Sequence, residues 1–101
     1  MLGALQKSIE DSTAALAINP KSSAALASRA YAQQRLGKNA AAMTDAEEAL
    51  KIDPNAPLAY LARGFAKEKT DKPGAIADLK KALEIDPKLA VAQAGLKKLG
   101  G

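Results

Sequence analysis

Apolar residues recur every three or four positions over four segments of the chain. The segments cover residues 24–36, 40–52, 58–69 and 76–85. This spacing places the apolar side chains on one face of an α-helix. Gly37 separates the first two segments and Pro54 closes the second. Because glycine and proline end helices, the pattern predicts pairs of antiparallel helices joined by short turns.

A short motif, Leu-x-Ile-(Asp/Asn)-Pro, occurs three times. Its prolines are Pro20, Pro54 and Pro87, so the copies are 34 and 33 residues apart. A period of this length is typical of stacked helical repeats. Proline stops a helix and keeps the preceding residue out of the helical conformation. We therefore predict an all-α stack of antiparallel helix pairs with about six helices.

Small and large apolar residues alternate at matching places in the two units. The small pairs are Ala30 with Gly64, Ala42 with Ala75, and Ala49 with Ala82. The larger pairs are Met43 with Ile76, Leu50 with Leu83, and Ile52 with Ile85. Small residues allow two helices to approach closely, and large residues fill the space between helix pairs.

These features together resemble the tetratricopeptide repeat, a helical hairpin of 34 residues. The residues that carry the resemblance are Gly37, Ala42, Ala49, Leu50, Asp53 and Pro54 in the first unit, and Gly64, Ala75, Ala82, Leu83, Asp86 and Pro87 in the second. The resemblance implies an α-solenoid, in which helix pairs stack into a right-handed superhelix. It also implies that the first helix of each pair lines a concave face.

Residues 1–101 are predicted to form one domain, and the repeat register divides this domain into four segments. Residues 4–19 are predicted as the second helix of a partial repeat, 22–53 and 56–86 as full repeats, and 88–99 as a C-terminal capping helix. Lys97 occupies the position held by Ala30 and Gly64 in the full repeats. Because a covering helix would exclude a long charged side chain there, the last helix is predicted to face solvent.

The amino-acid composition excludes most kinds of catalytic and metal-binding site. The chain has no cysteine and no histidine, which excludes thiol nucleophiles, histidine bases and disulfides, and removes the usual zinc ligands. The acidic pairs Glu10-Asp11 and Glu47-Glu48 lie on predicted second helices and are typical of solvated faces. We therefore expect no catalytic site, metal site or cofactor, and the protein is predicted not to be an enzyme.

Charge and hydropathy favour neither a nucleic acid nor a membrane as partner. The formal net charge is +4 and the isoelectric point is near 9.4, but the basic residues are scattered, with no run longer than two. Nucleic-acid binding needs clustered basic residues with stacking aromatics. No apolar run approaches the roughly 20 residues that span a bilayer, and the first residues lack the pattern of a signal peptide. A cytoplasmic location is expected.

What the resemblance implies for function is a groove built from exposed positions of the first helices, binding a peptide or helix of a protein partner. Those positions are Ala27, Tyr31, Gln34, Arg35, Leu58, Leu61, Phe65, Glu68, Lys69, Val91 and Lys98. An apolar strip edged by Arg35, Lys69 and Lys98 would suit a ligand with apolar anchors and some negative charge. Alternatively, Tyr31 and Phe65 pack between neighbouring first helices.

Two further arginines, Arg29 and Arg63, also match one repeat apart. We expect both to lie along neighbouring helices and extend their guanidinium groups into solvent.

One group within the family binds the Glu-Glu-Val-Asp tails of chaperones through Lys, Asn and Arg side chains on successive first helices. The matching Asn position here holds Ser28, and the later Lys and Arg positions hold Leu58 and Ala62. The sequence therefore predicts that this carboxylate clamp is absent.

An alternative function is self-association. In the partial first repeat, Leu5 and Ile9 are predicted to face a first helix that the chain does not contain, and a second copy could cover them in a homodimer. Ser8 and Ser12 favour a simpler interpretation, an exposed end, because they place hydroxyls where later units carry Ala42, Ala46, Ala75 and Leu79.

Overall fold

The structure is a computed structural model that describes residues 2–101. These residues form six α-helices and no strand, which confirms the predicted all-α fold class. The helices are α1 Leu2–Ile18, α2 Ser23–Arg35, α3 Asn39–Ile52, α4 Pro57–Ala66, α5 Lys72–Ile85 and α6 Ala90–Leu99. Helices α2 and α3 form one hairpin and α4 and α5 the next. We call α2, α4 and α6 the first helices and α1, α3 and α5 the second helices.

The recurrent Asp/Asn-Pro motif makes the same turn three times. The side-chain oxygen of Asn19 accepts a hydrogen bond from the Lys21 amide (3.2 Å). Asp53 accepts likewise from the amide two residues on (3.0 Å), and so does Asp86 (3.2 Å). Such turns satisfy the backbone where proline ends the helix, because Asp and Asn side chains imitate a backbone turn. This explains why the motif uses Asp or Asn before each proline.

The internal turn of each hairpin uses different local chemistry. Gly37 adopts φ +83° after α2, a left-handed conformation that costs other residues more. Asp71 caps α5 by accepting from the Gly74 amide (3.0 Å), and Pro73 stands in the first turn, where its missing N–H would be unpaired anyway. The connection within the second hairpin, 67–71, is longer than 36–38 in the first, but α4 has 10 residues against 13 in α2, so the second hairpin is one residue shorter from helix start to helix start, which accounts for the 33-residue spacing.

Each helix packs on its neighbours along the chain, and α2 also packs on α4. Alanines dominate the core between α2, α3 and α4: Ala30, Ala46, Ala49, Ala59 and Ala62 are completely buried. Around α4, α5 and α6 the core is built instead on Leu61, Leu79, Ala75 and Ala92. Alanine cores bring helix axes close together, so the stack depends on tight contact more than on large side chains.

Because the helices are in close contact, replacing alanine with leucine should cost much more stability at a buried site than at an exposed one. Ala82→Leu is expected to lower the free energy of unfolding by about 1 to 3 kcal/mol, because Ala82 is completely buried and leucine would overpack the hairpin. Ala41→Leu, at an exposed position of α3, should change stability by less than about 0.5 kcal/mol. Thermal denaturation followed by circular dichroism measures both. Equal losses would contradict the assigned hairpin contact.

Candidate functional site

The first helices form a groove, and its polar end lies toward their C-terminal halves. An open cavity of about 420 Å³ occurs there. Its lining residues are Tyr31, Gln34, Arg35, Phe65, Glu68, Val91 and Lys98. All seven belong to the predicted groove, and they come from α2, α4, α6 and the connection that follows α4. Lys69 lines an adjoining cavity of about 230 Å³ together with Arg35, Phe65 and Glu68.

The apolar end lies at the beginnings of α2 and α4. A cavity of about 280 Å³ is lined there by Ser23, Ala24, Ala27, Ser28, Asp53, Asn55, Ala56, Pro57 and Leu58. Ala24, Ala27 and Tyr31 follow the spacing of one helix face, so this cavity and the polar one lie along the same side of α2. The sequence prediction included Ala27 and Leu58 but missed the connection from Asp53 to Pro57, which forms one wall.

Tyr31 and Phe65 both pack between helices and line the groove, so each combines the two alternatives that the sequence left open. Each ring is half-buried. A Cβ atom at Gly95 would stand 2.7 Å from Phe65 Cε1, so the Phe65 ring lies directly on the α6 backbone. Tyr31 packs at the edge of both core clusters. The remaining ring surface of both residues lines the polar cavity.

Basic side chains determine the electrostatics of the polar end. Arg35 lies over the Tyr31 ring, with its Cζ 5.7 Å from the ring centroid, and donates to the Tyr31 hydroxyl at 3.4 Å. Lys98 pairs with Glu68 at 3.1 Å, which joins α6 to the connection between α4 and α5 across the groove. Three positive groups, Arg35, Lys69 and Lys98, thus face one carboxylate and leave a local charge of +2. The polar end therefore favours an acidic ligand group.

Two of the predicted groove residues are buried. Leu61 keeps only 2% of its surface exposed and Ala27 only 3%. They occupy the same repeat position, which faces the next first helix and not the open side. The prediction for Leu61 was therefore wrong, because it is a core residue packed with α5 and α6. Ala27 lies in the core too, although its small exposed surface still contributes to the apolar cavity.

The paired arginines do not extend into solvent, contrary to the prediction. Arg29 donates from Nε and Nη2 to the carboxylate of Asp45, at 2.6 and 3.0 Å. Arg63 donates in the same two-point manner to Asp78, at 3.0 Å for both bonds. These hydrogen bonds raise the pKa of both guanidinium groups above the ordinary arginine value, although partial burial opposes the shift.

The two carboxylates were missed by the sequence analysis, although their spacing was readable. Asp45 and Asp78 are 33 residues apart and largely buried. Each also has a second donor one turn after the arginine. Lys67 Nζ lies 3.4 Å from Asp78, and the Gln33 amide nitrogen lies 3.0 Å from Asp45 once the amide is oriented to satisfy its neighbours. Each pair joins the two helices of one hairpin.

Leu5 and Ile9, the residues predicted for self-association, are both half-buried on α1, which packs on α2. The repeat counterparts of Ile9 explain its burial. Ile9 matches Ile76, and Ile76 packs with the helix that follows its own, close to Leu96 and Gly101. The prediction that Leu5 and Ile9 face an absent helix was therefore misplaced by part of a turn.

Within residues 2–101, no three His, Cys, Asp or Glu side chains are grouped as metal ligands would be. None of the helices in this range combines the length and the apolar character needed to cross a bilayer.

Comparison with known sequences agrees with the repeat pattern. A family model described as tetratricopeptide repeat matches residues 23–56. This range contains one hairpin, α2 and α3, and the connection that follows. A search of curated protein sequences found no match.

Solved structures resemble the chain over nearly its whole length. The TPR domain of Arabidopsis OM64 is 30% identical with a TM-score of 0.84, and the match covers 96% of this chain and 81% of that one. The first TPR of Spaghetti (RPAP3), bound to the HSP90 peptide SRMEEVD, is 27% identical with a TM-score of 0.83, over 97% and 79%. The second TPR domain of human RPAP3, in complex with the HSP70 peptide SGPTIEEVD, is 25% identical with a TM-score of 0.80, over 98% and 83%.

Proposed function

Because the chain belongs to the tetratricopeptide repeat family, we propose that it is a non-catalytic scaffold that binds a peptide segment of a partner protein in its groove. Two similar domains are peptide complexes, one with SRMEEVD and one with SGPTIEEVD. The observation that carries the proposal is the groove itself, which has an apolar cavity at one end and a basic cavity at the other.

The length of the groove limits the number of peptide residues that it can bind. Ala24 and Arg35 are eleven helical steps apart on α2, or about 16 Å at the helical rise per residue. An extended peptide covers this length with about five residues. The groove therefore fits a short extended segment whose apolar anchor enters the cavity at Leu58 and whose acidic residue, about four positions away, reaches Arg35 and Lys69.

The apolar cavity distinguishes this groove from a carboxylate clamp. Ser28 and Leu58 line the cavity, and Ala62 is buried, so the three clamp positions carry no charge. A terminal carboxylate placed among them would lose its hydration without gaining a cation. An apolar side chain would instead displace water at no such cost. We infer that this groove selects an apolar anchor where the clamp selects a carboxylate.

The ligand class can be tested with an array of seven-residue peptides. The array varies one apolar residue and one acidic residue, and the distance between them, and includes for comparison SRSEEVD, in which serine replaces the methionine that lies four positions before the last Asp of SRMEEVD. Peptides with leucine or phenylalanine about four positions from Asp or Glu should bind at least about tenfold tighter than SRSEEVD, which is about 1.4 kcal/mol. Equal or tighter binding of SRSEEVD would contradict the inferred ligand class.

Groove variants test the position of the ligand. Leu58→Glu places a charge in the apolar cavity, and Arg35→Glu reverses a charge at the polar end. Each should weaken the best array peptide at least about tenfold. Lys80→Glu, at an exposed position of α5, is the matched control and should leave binding within about twofold. Unchanged binding in both groove variants, with circular dichroism preserved, would show that the peptide binds elsewhere.

A further inference from the structure

Among the described residues that line the apolar cavity, Asp53 alone is charged. Asp53 follows the last residue of α3 in an extended conformation and directly precedes Pro54. It is half-buried. A half-buried carboxylate in the wall of a cavity that is otherwise uncharged attracts a ligand group of opposite charge.

The turn at Asp53 needs a hydrogen-bond acceptor but not a negative charge. Oδ1 of Asp53 accepts from the Asn55 amide at 3.0 Å, whereas Oδ2 takes no hydrogen bond or ion pair from the residues that the structure describes. The first copy of the turn is made with a neutral side chain, because Asn19 accepts the same bond from the Lys21 amide at 3.2 Å. The turn therefore leaves the charge of Asp53 unexplained.

The two ends of the groove carry opposite charges. Asp53 precedes α4 and Lys69 follows it, so these two residues lie at opposite ends of that helix. Arg35 lines one cavity with Lys69 and another with Lys98, which places all three basic residues at the end away from Asp53. The cavity at Leu58 lies beside Asp53. Along the groove, the order is carboxylate, apolar cavity, basic cluster.

We propose that Asp53 binds a lysine or arginine side chain of the ligand, placed beside the apolar anchor on the side away from the acidic residue. This inference rests on the proposed function, and it narrows the ligand class to peptides with the side-chain order basic, apolar, acidic. Residues two apart in an extended peptide point to the same face, so the basic residue stands two positions from the anchor. Its aliphatic stem lies along the apolar wall while its charge reaches Asp53.

The next repeat provides a matched control for Asp53. Asp86 makes the same turn, accepting from the Lys88 amide at 3.2 Å, and is also half-buried. It lines none of the three groove cavities described above. Leu89, which occupies the repeat position of Ala56, packs against the core around α4, α5 and α6. Asp86 thus shares the residue type and the turn of Asp53 but not its place in the groove.

The probes are synthetic peptides with acetylated and amidated ends, so that terminal charges do not contribute. KSLSSSE and its reverse, ESSSLSK, have the proposed order for the two directions in which a peptide can lie. ESLSSSK exchanges lysine and glutamate and has the wrong order in both directions. Titrations followed by the backbone amide signals in NMR spectra should show that KSLSSSE or ESSSLSK binds at least about tenfold tighter than ESLSSSK.

Asp53→Asn tests the residue itself. The variant keeps an acceptor for the turn, as Asn19 does, so its melting temperature should stay within about 3 °C of the native value. It should bind the better ordered peptide at least about fivefold more weakly than the native chain does. The same peptide with serine in place of lysine should bind both chains equally within about twofold. Asp86→Asn should change the affinity for either peptide by less than about twofold.

Two results would overturn the proposal: binding of ESLSSSK as tight as that of the better ordered peptide, or a loss in Asp53→Asn that is the same for the lysine and serine peptides. A test of the groove separates this failure from failure of the proposed function. If SSLSSSE binds and Leu58→Glu weakens it, but adding lysine brings no gain, the groove binds peptides and only the role of Asp53 is wrong. If SSLSSSE does not bind up to about 1 mM, or binds Leu58→Glu unchanged, the proposed function fails as well.

Discussion

Leu79→Ala is expected to lower the free energy of unfolding by about 3 to 4 kcal/mol, the largest loss among single changes to the core. Leu79 is completely buried and is one of the two largest side chains with almost no exposed surface. Its two methyl groups lie against Gly64 in α4 and Gly95 in α6, so it fills the space between three helices. Glycine has no side chain to move into the vacated volume, so most of the cavity should remain.

Urea denaturation followed by circular dichroism measures this loss, and Ile18→Ala serves as the control. Ile18 is an apolar helix residue that is 88% exposed, so its truncation should cost less than about 0.5 kcal/mol. A loss at Leu79 as small as at Ile18 would mean that α4 and α6 collapse onto α5. The first hairpin carries Ala46 at the repeat position of Leu79. The Leu79→Ala change therefore also tests whether the second hairpin needs a large side chain at a position where the first hairpin has a small one.

The second large effect is expected at the buried carboxylate of the second hairpin. Asp78→Ala should lower the free energy of unfolding by about 3 kcal/mol, because it leaves the partly buried Arg63 and Lys67 without their shared counter-ion. Asp11→Ala is the matched control. Asp11 has the same repeat position but is 67% exposed, so its loss should cost less than about 0.5 kcal/mol.

A double-mutant cycle tests whether the ion pair itself causes the effect. Arg63→Ala with Asp78→Ala should destabilise the chain by at least about 1 kcal/mol less than the sum of the single changes, because the double change leaves neither the Arg63 guanidinium without its counter-ion nor the Asp78 carboxylate without its two-point donor. Chemical denaturation of the four proteins supplies the numbers. Additive losses would show that Asp78 acts through packing alone, and the interpretation of the hairpin as joined by an ion pair would be abandoned.

The resemblance and the geometry contribute differently to the proposed function. The resemblance implied a groove on the first helices, and the structure places seven of the predicted residues around one cavity. The apolar cavity at Leu58 comes from the geometry, because its wall is the connection between two hairpins. The prediction that the carboxylate clamp is absent rests on sequence alone, on the uncharged residues Ser28, Leu58 and Ala62.

The sequence by itself determined the helices, the turns and the repeat. These features depend on neighbouring residues: apolar spacing fixes a helix face, Pro54 stops a helix, and Gly37 accepts the left-handed turn. Even the exposure of Lys97 was predictable, because a lysine at a close-contact position excludes a covering helix.

Only the tertiary structure decided which face of each helix meets which neighbour. Leu61 and Phe65 are one turn apart on α4, yet the first is buried and the second lines the groove, because α6 crosses over one and leaves part of the other open. The pairing of Arg63 with Asp78 likewise joins two helices across 15 residues of sequence. Helical spacing gives the direction in which a side chain points around the axis of its own helix. The position of the next axis depends on the packing of all the helices, and that packing separates core from binding surface.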